Sequence, residues 1–222
     1  MNSNSGIQSI AIFGSFGRGN ADAFSDLDVL VLCRDGAGTQ PETLVRSLVA
    51  QEFRQPPSIS WYGNAKMTHF FTTGDLFAWH LYRESFPLVG FPSLVEMFGE
   101  PAPYLNCMTD IQGLAEILST VEEEINSSPQ NLVYEMGLAY VCLRNIAMTA
   151  SSALSERVDF GRFSPFNLPA VEPPISLNDY KLLAQCRHAS TRGTSPPELD
   201  IDVTRVLHNS LSWARSIERM VL

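Results

Sequence analysis

Two aspartates, Asp26 and Asp28, flank the start of the apolar run Leu27 to Cys33, and a glycine-rich stretch beginning at Gly14-Ser15 lies just before them. On a strand, residues i and i+2 project from one face, so the two carboxylates point the same way. Carboxylates beside an apolar run are seldom placed there without a partner. Two hard oxygen ligands on one face suit Mg²⁺, which is commonly held by one or two carboxylates together with substrate phosphates. The glycines at 14, 17 and 19 let backbone N–H groups approach an anion. Ser15 adds a hydroxyl donor, and the start of a short helix adds a favourable dipole. Phosphate held by Ser15 and the backbone, beside metal held by Asp26 and Asp28, is the arrangement of a phosphoryl or nucleotidyl transfer site. The competing reading is a solvated turn followed by an edge-strand carboxylate. Arg18 is a further phosphate contact, or else a solvated loop residue.

These residues need a strand before the glycines and a strand after them. Ile10-Ala11-Ile12-Phe13 is a short apolar run that stops at Gly14, and Leu27 to Cys33 is a second. Pro41 to Phe53 has helical spacing in Leu44, Val45, Leu48 and Val49, with Pro41 in the first turn. Ser58-Ile59-Ser60-Trp61-Tyr62 alternates as a strand does, and Asp75 can cap a helix carrying Leu76, Phe77, Trp79, His80, Leu81 and Tyr82. Strand, strand, helix, strand, helix reads as α/β. Beyond a Pro- and Gly-containing linker, Gly99 to Pro103, the pattern turns helical, with helices at 110–125, 131–154, 177–190 and 203–220. The expected architecture is an α/β (α+β) domain over 1–99 with a short mixed sheet, followed by an all-α helical bundle over 104–222. The catalytic cleft is expected between the two.

The segment Gly14 to Leu32 resembles the GSxxxGxxxxxSDxD signature of the DNA polymerase β-like nucleotidyltransferase superfamily. Gly14, Ser15, Gly19, Ser25, Asp26 and Asp28 match it position by position. Gly74 to Leu81 is similar to a helix common in the minimal bacterial nucleotidyltransferases. The helical half is similar in outline to the C-terminal domains of kanamycin-type enzymes. The resemblance implies Mg²⁺ held by Asp26 and Asp28, with ATP or another NTP bound through Gly14, Ser15, Gly19 and Ser25. It also implies attack of a substrate hydroxyl on the α-phosphorus with loss of pyrophosphate. It allows a homodimer.

The resemblance also implies a third carboxylate on the next strand, and this chain departs from it there. No Asp or Glu occurs between Glu52 and Asp75, and a serine lacks the charge to replace one on Mg²⁺. Three alternatives follow. In the first, a base comes from the helical half, where Glu135 is the candidate catalytic residue; its competing reading is a structural ion pair. In the second, the protein binds nucleotide and transfers slowly. In the third, it serves as a nucleotide- or partner-binding protein without catalysis.

Composition narrows the partners. The 222 residues carry 15 Lys+Arg against 24 Asp+Glu, a formal charge of −9. That disfavours general nucleic-acid binding, which draws on Lys and Arg, and disfavours an anionic membrane surface. It leaves room for an aminoglycoside-like cation as the small-molecule hydroxyl acceptor, or, as a variant, for a protein acceptor as in antitoxin-type nucleotidyltransferases. No apolar run approaches the ~20 residues of a membrane span. The first residues show no secretory pattern, and the four cysteines, Cys33, Cys107, Cys142 and Cys186, form no CxxC pair. Reduced thiols and a cytoplasmic location are expected. His80, Phe160, Phe163 and Phe166 read as packing residues. Arg187, His188 and Arg192 form a small basic cluster, read as a solvated helix end.

Overall fold

The computed structural model describes residues 6–22, 25–38, 40–169 and 171–222. The chain divides into two compact units, Met1–Leu105 and Asn106–Leu222.

The first unit is built on a four-stranded mixed sheet. β1 (Ile7–Phe13) runs into a one-turn helix, α1 (Gly14–Gly17), and returns as β2 (Leu27–Cys33). α2 (Glu42–Val49) then crosses over to β3 (Pro57–Gly63), followed by α3 (Asn64–Thr73), α4 (Leu76–Glu84), the two-residue β4 (Phe86–Pro87) and α5 (Leu94–Phe98). The strand order is β3-β2-β1-β4. β1 is antiparallel to β2 and β4, while β2 and β3 are parallel, as a helical crossover requires.

β1 and β2 are central and lie under helices on both faces, which is why they read as unbroken apolar runs. On one face Ile10, Ile12, Leu27, Val29 and Val31 pack with Val45 and Val49 of α2. On the other, Ala11, Phe13, Leu30 and Leu32 pack with Met67 and Phe71 of α3, Ala78 and Leu81 of α4, and Leu94 of α5. The alternation that sends Leu30 and Leu32 to the second face puts Asp28 at the end of the same row.

Local signals set the helix ends. The Asp75 carboxylate accepts from Phe77 N at 2.8 Å to start α4. Ser93 and Glu96 form a reciprocal capping box on α5. α3 was not anticipated from the sequence, because its ends are a left-handed Gly74 and a Gly63 that gives no side-chain cap. The Gly99–Pro103 stretch, read as a linker, is bonded to the first unit. Ala102 N donates to the Phe71 carbonyl at 2.8 Å, and Trp79 Nε1 donates to the Ala102 carbonyl at 3.0 Å.

The second unit is helical: α6 (Cys107–Ser127), α7 (Leu132–Leu154), α8 (Leu177–Arg192) and α9 (Val203–Met220). α7 packs against both α6 and α8, and α9 lies on α6. Central placement explains why α7 is apolar nearly all round. The long connection from α7 to α8 is pinned by aromatics: Phe160 is buried, and the rings of Phe163 and Phe166 meet Tyr180 in tilted and edge-on contacts. All four cysteines are free thiols. No helix among the described residues is long and apolar enough to cross a membrane.

Candidate active site

The glycine-rich stretch is the connection of the β1–β2 hairpin, and the last ladder pair before it is Phe13 with Asp28. β1 turns away at Gly14 with φ +70°, a conformation that other residues adopt at a cost of about 1–2 kcal/mol. A Cβ built on Gly14 would stand 2.6 Å from Asp28 Oδ2. The Asp28 carboxylate therefore lies directly over the α-carbon of Gly14, and only a hydrogen fits between them. Asp26 immediately precedes β2, next to the buried Leu27. Both aspartates are half-buried.

Asp22 and Ser25, on the approach to Asp26, are bonded to each other. Ser25 N donates to the Asp22 carbonyl at 3.0 Å, Asp22 N donates to Ser25 Oγ at 2.9 Å, and Ser25 Oγ donates to Asp22 Oδ1 at 2.8 Å. The Ser25 hydroxyl is thus engaged within the turn. Ala23 and Phe24 lie outside the described residues.

Within the glycine-rich stretch, the amides of Arg18, Gly19 and Asn20 donate to the carbonyls of Gly14, Phe16 and Ser15 at 2.9–3.1 Å. The amides of Ser15, Phe16 and Gly17 start the turn and have no carbonyl behind them within it. Together with the half-buried Ser15 hydroxyl, they are the donors this segment can offer an anion. Gly17 has a different reason to be glycine: a Cβ there would run into the carbonyl oxygen of Glu84, at the end of α4. The Glu84 side chain holds the same turn. Its Oε2 accepts from Arg18 Nη1 at 2.6 Å and lies 3.0 Å from His80 Nε2. The His80 ring in turn stands edge-on to Phe13, 5.6 Å between centroids. Arg18 is therefore ion-paired within the protein. Glu84 is the site residue that sequence reasoning missed, although its i,i+4 spacing from His80 was a readable signal.

β3 pairs in register with β2, matching Asp28 with Ser58, Leu30 with Ser60 and Leu32 with Tyr62. Paired residues share a face, so two serines and a tyrosine stand beside the row that begins at Asp28. Among the described residues no group of three or more His, Cys, Asp or Glu is set to hold a metal ion. The carboxylates this segment supplies are Asp28, packed against Gly14, and Asp26 two residues before it. That fits a hard divalent cation completing its shell with water and phosphate oxygens, as Mg²⁺ prefers. Glu135 lies in the second unit, on α7, with 6% of its surface exposed. Burial, and secondarily the negative charge of Glu124, push its carboxyl above the ordinary range.

Residues 1–57 match the family model described as "Nucleotidyltransferase domain". The match takes in β1, the glycine-rich turn, β2 with both aspartates and α2, and ends as β3 begins. Within the first unit, residues 1–57 are thus similar to a nucleotidyltransferase domain. The match does not extend into the helical unit. Comparison with curated proteins gives no match.

Proposed function

We propose that the protein moves a nucleoside monophosphate from ATP or another NTP, bound with Mg²⁺, onto a hydroxyl of a small molecule. The observation that carries this reading is the juxtaposition of Gly14 and Asp28, a carboxylate set against a glycine corner next to Ser15 at one end of a hairpin. Asp26 and Asp28 would hold the cation. Ser15 Oγ and the amides of residues 15–17 would donate to triphosphate oxygens. When bound, Mg²⁺ supplies neutralisation of the triphosphate charge and polarisation of the phosphorus–oxygen bonds. The acceptor oxygen forms a bond to the α-phosphorus, the bond from that phosphorus to the bridging oxygen breaks, and pyrophosphate leaves. The hydroxyl proton passes to water as the new bond forms.

The test is release of pyrophosphate from α-labelled NTPs across a panel of hydroxyl acceptors. The reading expects Mg²⁺-dependent release that Asp28→Asn reduces by at least about 100-fold, the scale lost with one essential charge-stabilising group. The absence of an acid on β3 favours a second reading, a nucleotide- or partner-binding protein without transfer. Tight Mg·ATP binding with no pyrophosphate release over the whole panel, protein acceptors included, would select it. Failure to bind Mg·ATP at all would remove both.

A further inference from the structure

The sheet of the first unit has two edges, β4 and β3, and they are built differently. β4 is two residues long, Phe86–Pro87, and its proline has no amide to donate, so that edge is blunted. β3 runs for seven residues, Pro57–Gly63, paired with β2 in unbroken register along its whole length. It carries no Lys, Arg, Asp or Glu and no bulge, and its proline is its first residue, where a strand tolerates one. An edge strand presents a row of amides and carbonyls without ladder partners, and β3 lacks the devices that usually protect such a row.

From Ser58 to Tyr62, no group outside β2 among the described residues makes a hydrogen bond to the strand. The side-chain bond that does reach β3 is at its start, from Arg46 Nη1 to the Pro57 carbonyl at 3.3 Å. No residue of β3 is buried; Ser58 is exposed, and Trp61 leaves 37% of its surface in water. A large ring in water beside unmade backbone bonds is a surface that gains by being covered.

The pattern of the strand fits a second copy of itself. An antiparallel copy, related by a two-fold axis through Ser60, would set Ser60 against Ser60, Ile59 against Trp61 and Ser58 against Tyr62. Opposed residues in every such pair lie an even number of positions apart, so they share a face. The Ile59–Trp61 pair, made twice, is of the aromatic and β-branched kind that stabilises neighbouring strands. No charge meets a like charge along the seam, although the chain as a whole carries −9. The pairing is also closed: two copies consume both bare edges and leave none for a third.

We infer that the protein forms a homodimer through β3, joining two four-stranded sheets into one of eight strands. The inference stands independently of the nucleotidyl transfer proposed above.

The experiment is sedimentation equilibrium of the full-length chain at micromolar concentrations. The expected mass is twice the 24.6 kDa of the chain. Ser60→Lys sets two like charges against each other on the axis and should weaken the dimer about tenfold or more, with circular dichroism showing the variant folded. Ser60→Cys is the second variant. Directly opposed residues have Cβ atoms about 4.5–5.5 Å apart, so under mild oxidation its new thiols should join in a disulfide between copies. Ser58→Cys sets its thiols about 13 Å apart at ~3.3 Å per residue and should not couple. Mass mapping of the linked peptides assigns the bond. A monomer at every concentration, a dimer as tight in folded Ser60→Lys as in wild type, or no link at position 60 would each overturn the inference.

Discussion

Arg18 and Glu84 meet at 2.6 Å although 66 residues separate them. The same carboxylate oxygen lies 3.0 Å from His80, and the carbonyl of the same residue is what forbids a side chain at Gly17. The glycine-rich turn and the end of α4 are therefore one mechanical piece. A carboxylate bonded to Arg18 and lying beside His80 fixes the turn; under the proposed function this spares part of the ordering cost when a nucleotide binds.

Glu84→Gln keeps the shape and removes the charge. It should cost about 1–3 kcal/mol of stability, between the values for exposed and buried pairs. The apparent KM for NTP should rise more than kcat falls. Urea unfolding and initial-rate kinetics check the two halves. Unchanged stability would mean that the pair contributes nothing to holding the turn.

Gly14→Ala faces two separate penalties. The left-handed backbone disfavours any side chain by about 1–2 kcal/mol, and the new methyl meets Asp28 Oδ2 at 2.6 Å. The backbone penalty alone predicts a loss of at least about 1 kcal/mol by urea unfolding. Displacement of Asp28 predicts that Mn²⁺ affinity falls more steeply than stability does. Wild-type Mn²⁺ affinity in a destabilised Gly14→Ala protein would separate the two effects and refute the second.

Ser58→Asp places a carboxylate on β3 in register with Asp28. Three acids on adjacent positions should raise divalent-cation affinity about tenfold or more, since ligand charge count sets affinity at hard-cation sites. Without metal the same change should destabilise, because like charges sit side by side on neighbouring strands. Titration with Mn²⁺, followed by the free-ion paramagnetic signal, reads the first effect. An unchanged affinity would show that β3 does not face the cation.

Glu135 gives a pH dependence of definite sign. Its carboxyl is raised in the folded protein by burial and by Glu124. The folded state therefore holds this proton more tightly than the unfolded chain does. The resulting stabilisation is complete below the unfolded pKa, near the ordinary value of 4.5, and is lost as pH rises through the folded one. Glu135→Gln, neutral at every pH, should be more stable than wild type at pH 7, and the difference should shrink toward pH 4. Thermal midpoints across that range test it. A gap that is independent of pH would show that Glu135 is not destabilised by ionisation.

The sequence and the structure agree most closely where a pattern was local. The β1–turn–β2 segment and the Asp75 cap depend on neighbours within a few residues, and both were legible. The helices of the second unit were legible too: Val203–Met220 falls on its expected bounds and the others within a few residues. What was not legible depended on distant partners. α3 lacks a side-chain cap and a clear apolar stripe. Gly17 resembles a phosphate-loop glycine but answers to Glu84. Arg18 reads as a loop cation until α4 is folded against it. Arg187, read as part of a solvated helix end, is brought against α7 because α7 and α8 approach closely at Gly137.

The hairpin that carries both aspartates also has a kinetic meaning. Everything from Gly14 to Asp28 belongs to the connection and first rung of one antiparallel pair, whose closure involves contacts of short sequence separation. Loop entropy makes such contacts early ones, while the parallel pairing of β3 must wait for the α2 crossover. The aspartates and their glycine corner thus come together as soon as β1 meets β2. In pulsed hydrogen-exchange labelling during refolding, amides of β1 and β2 should gain protection no later than those of β3. Low contact order makes the chemical end of this sheet the part of the first unit that assembles without help from the rest.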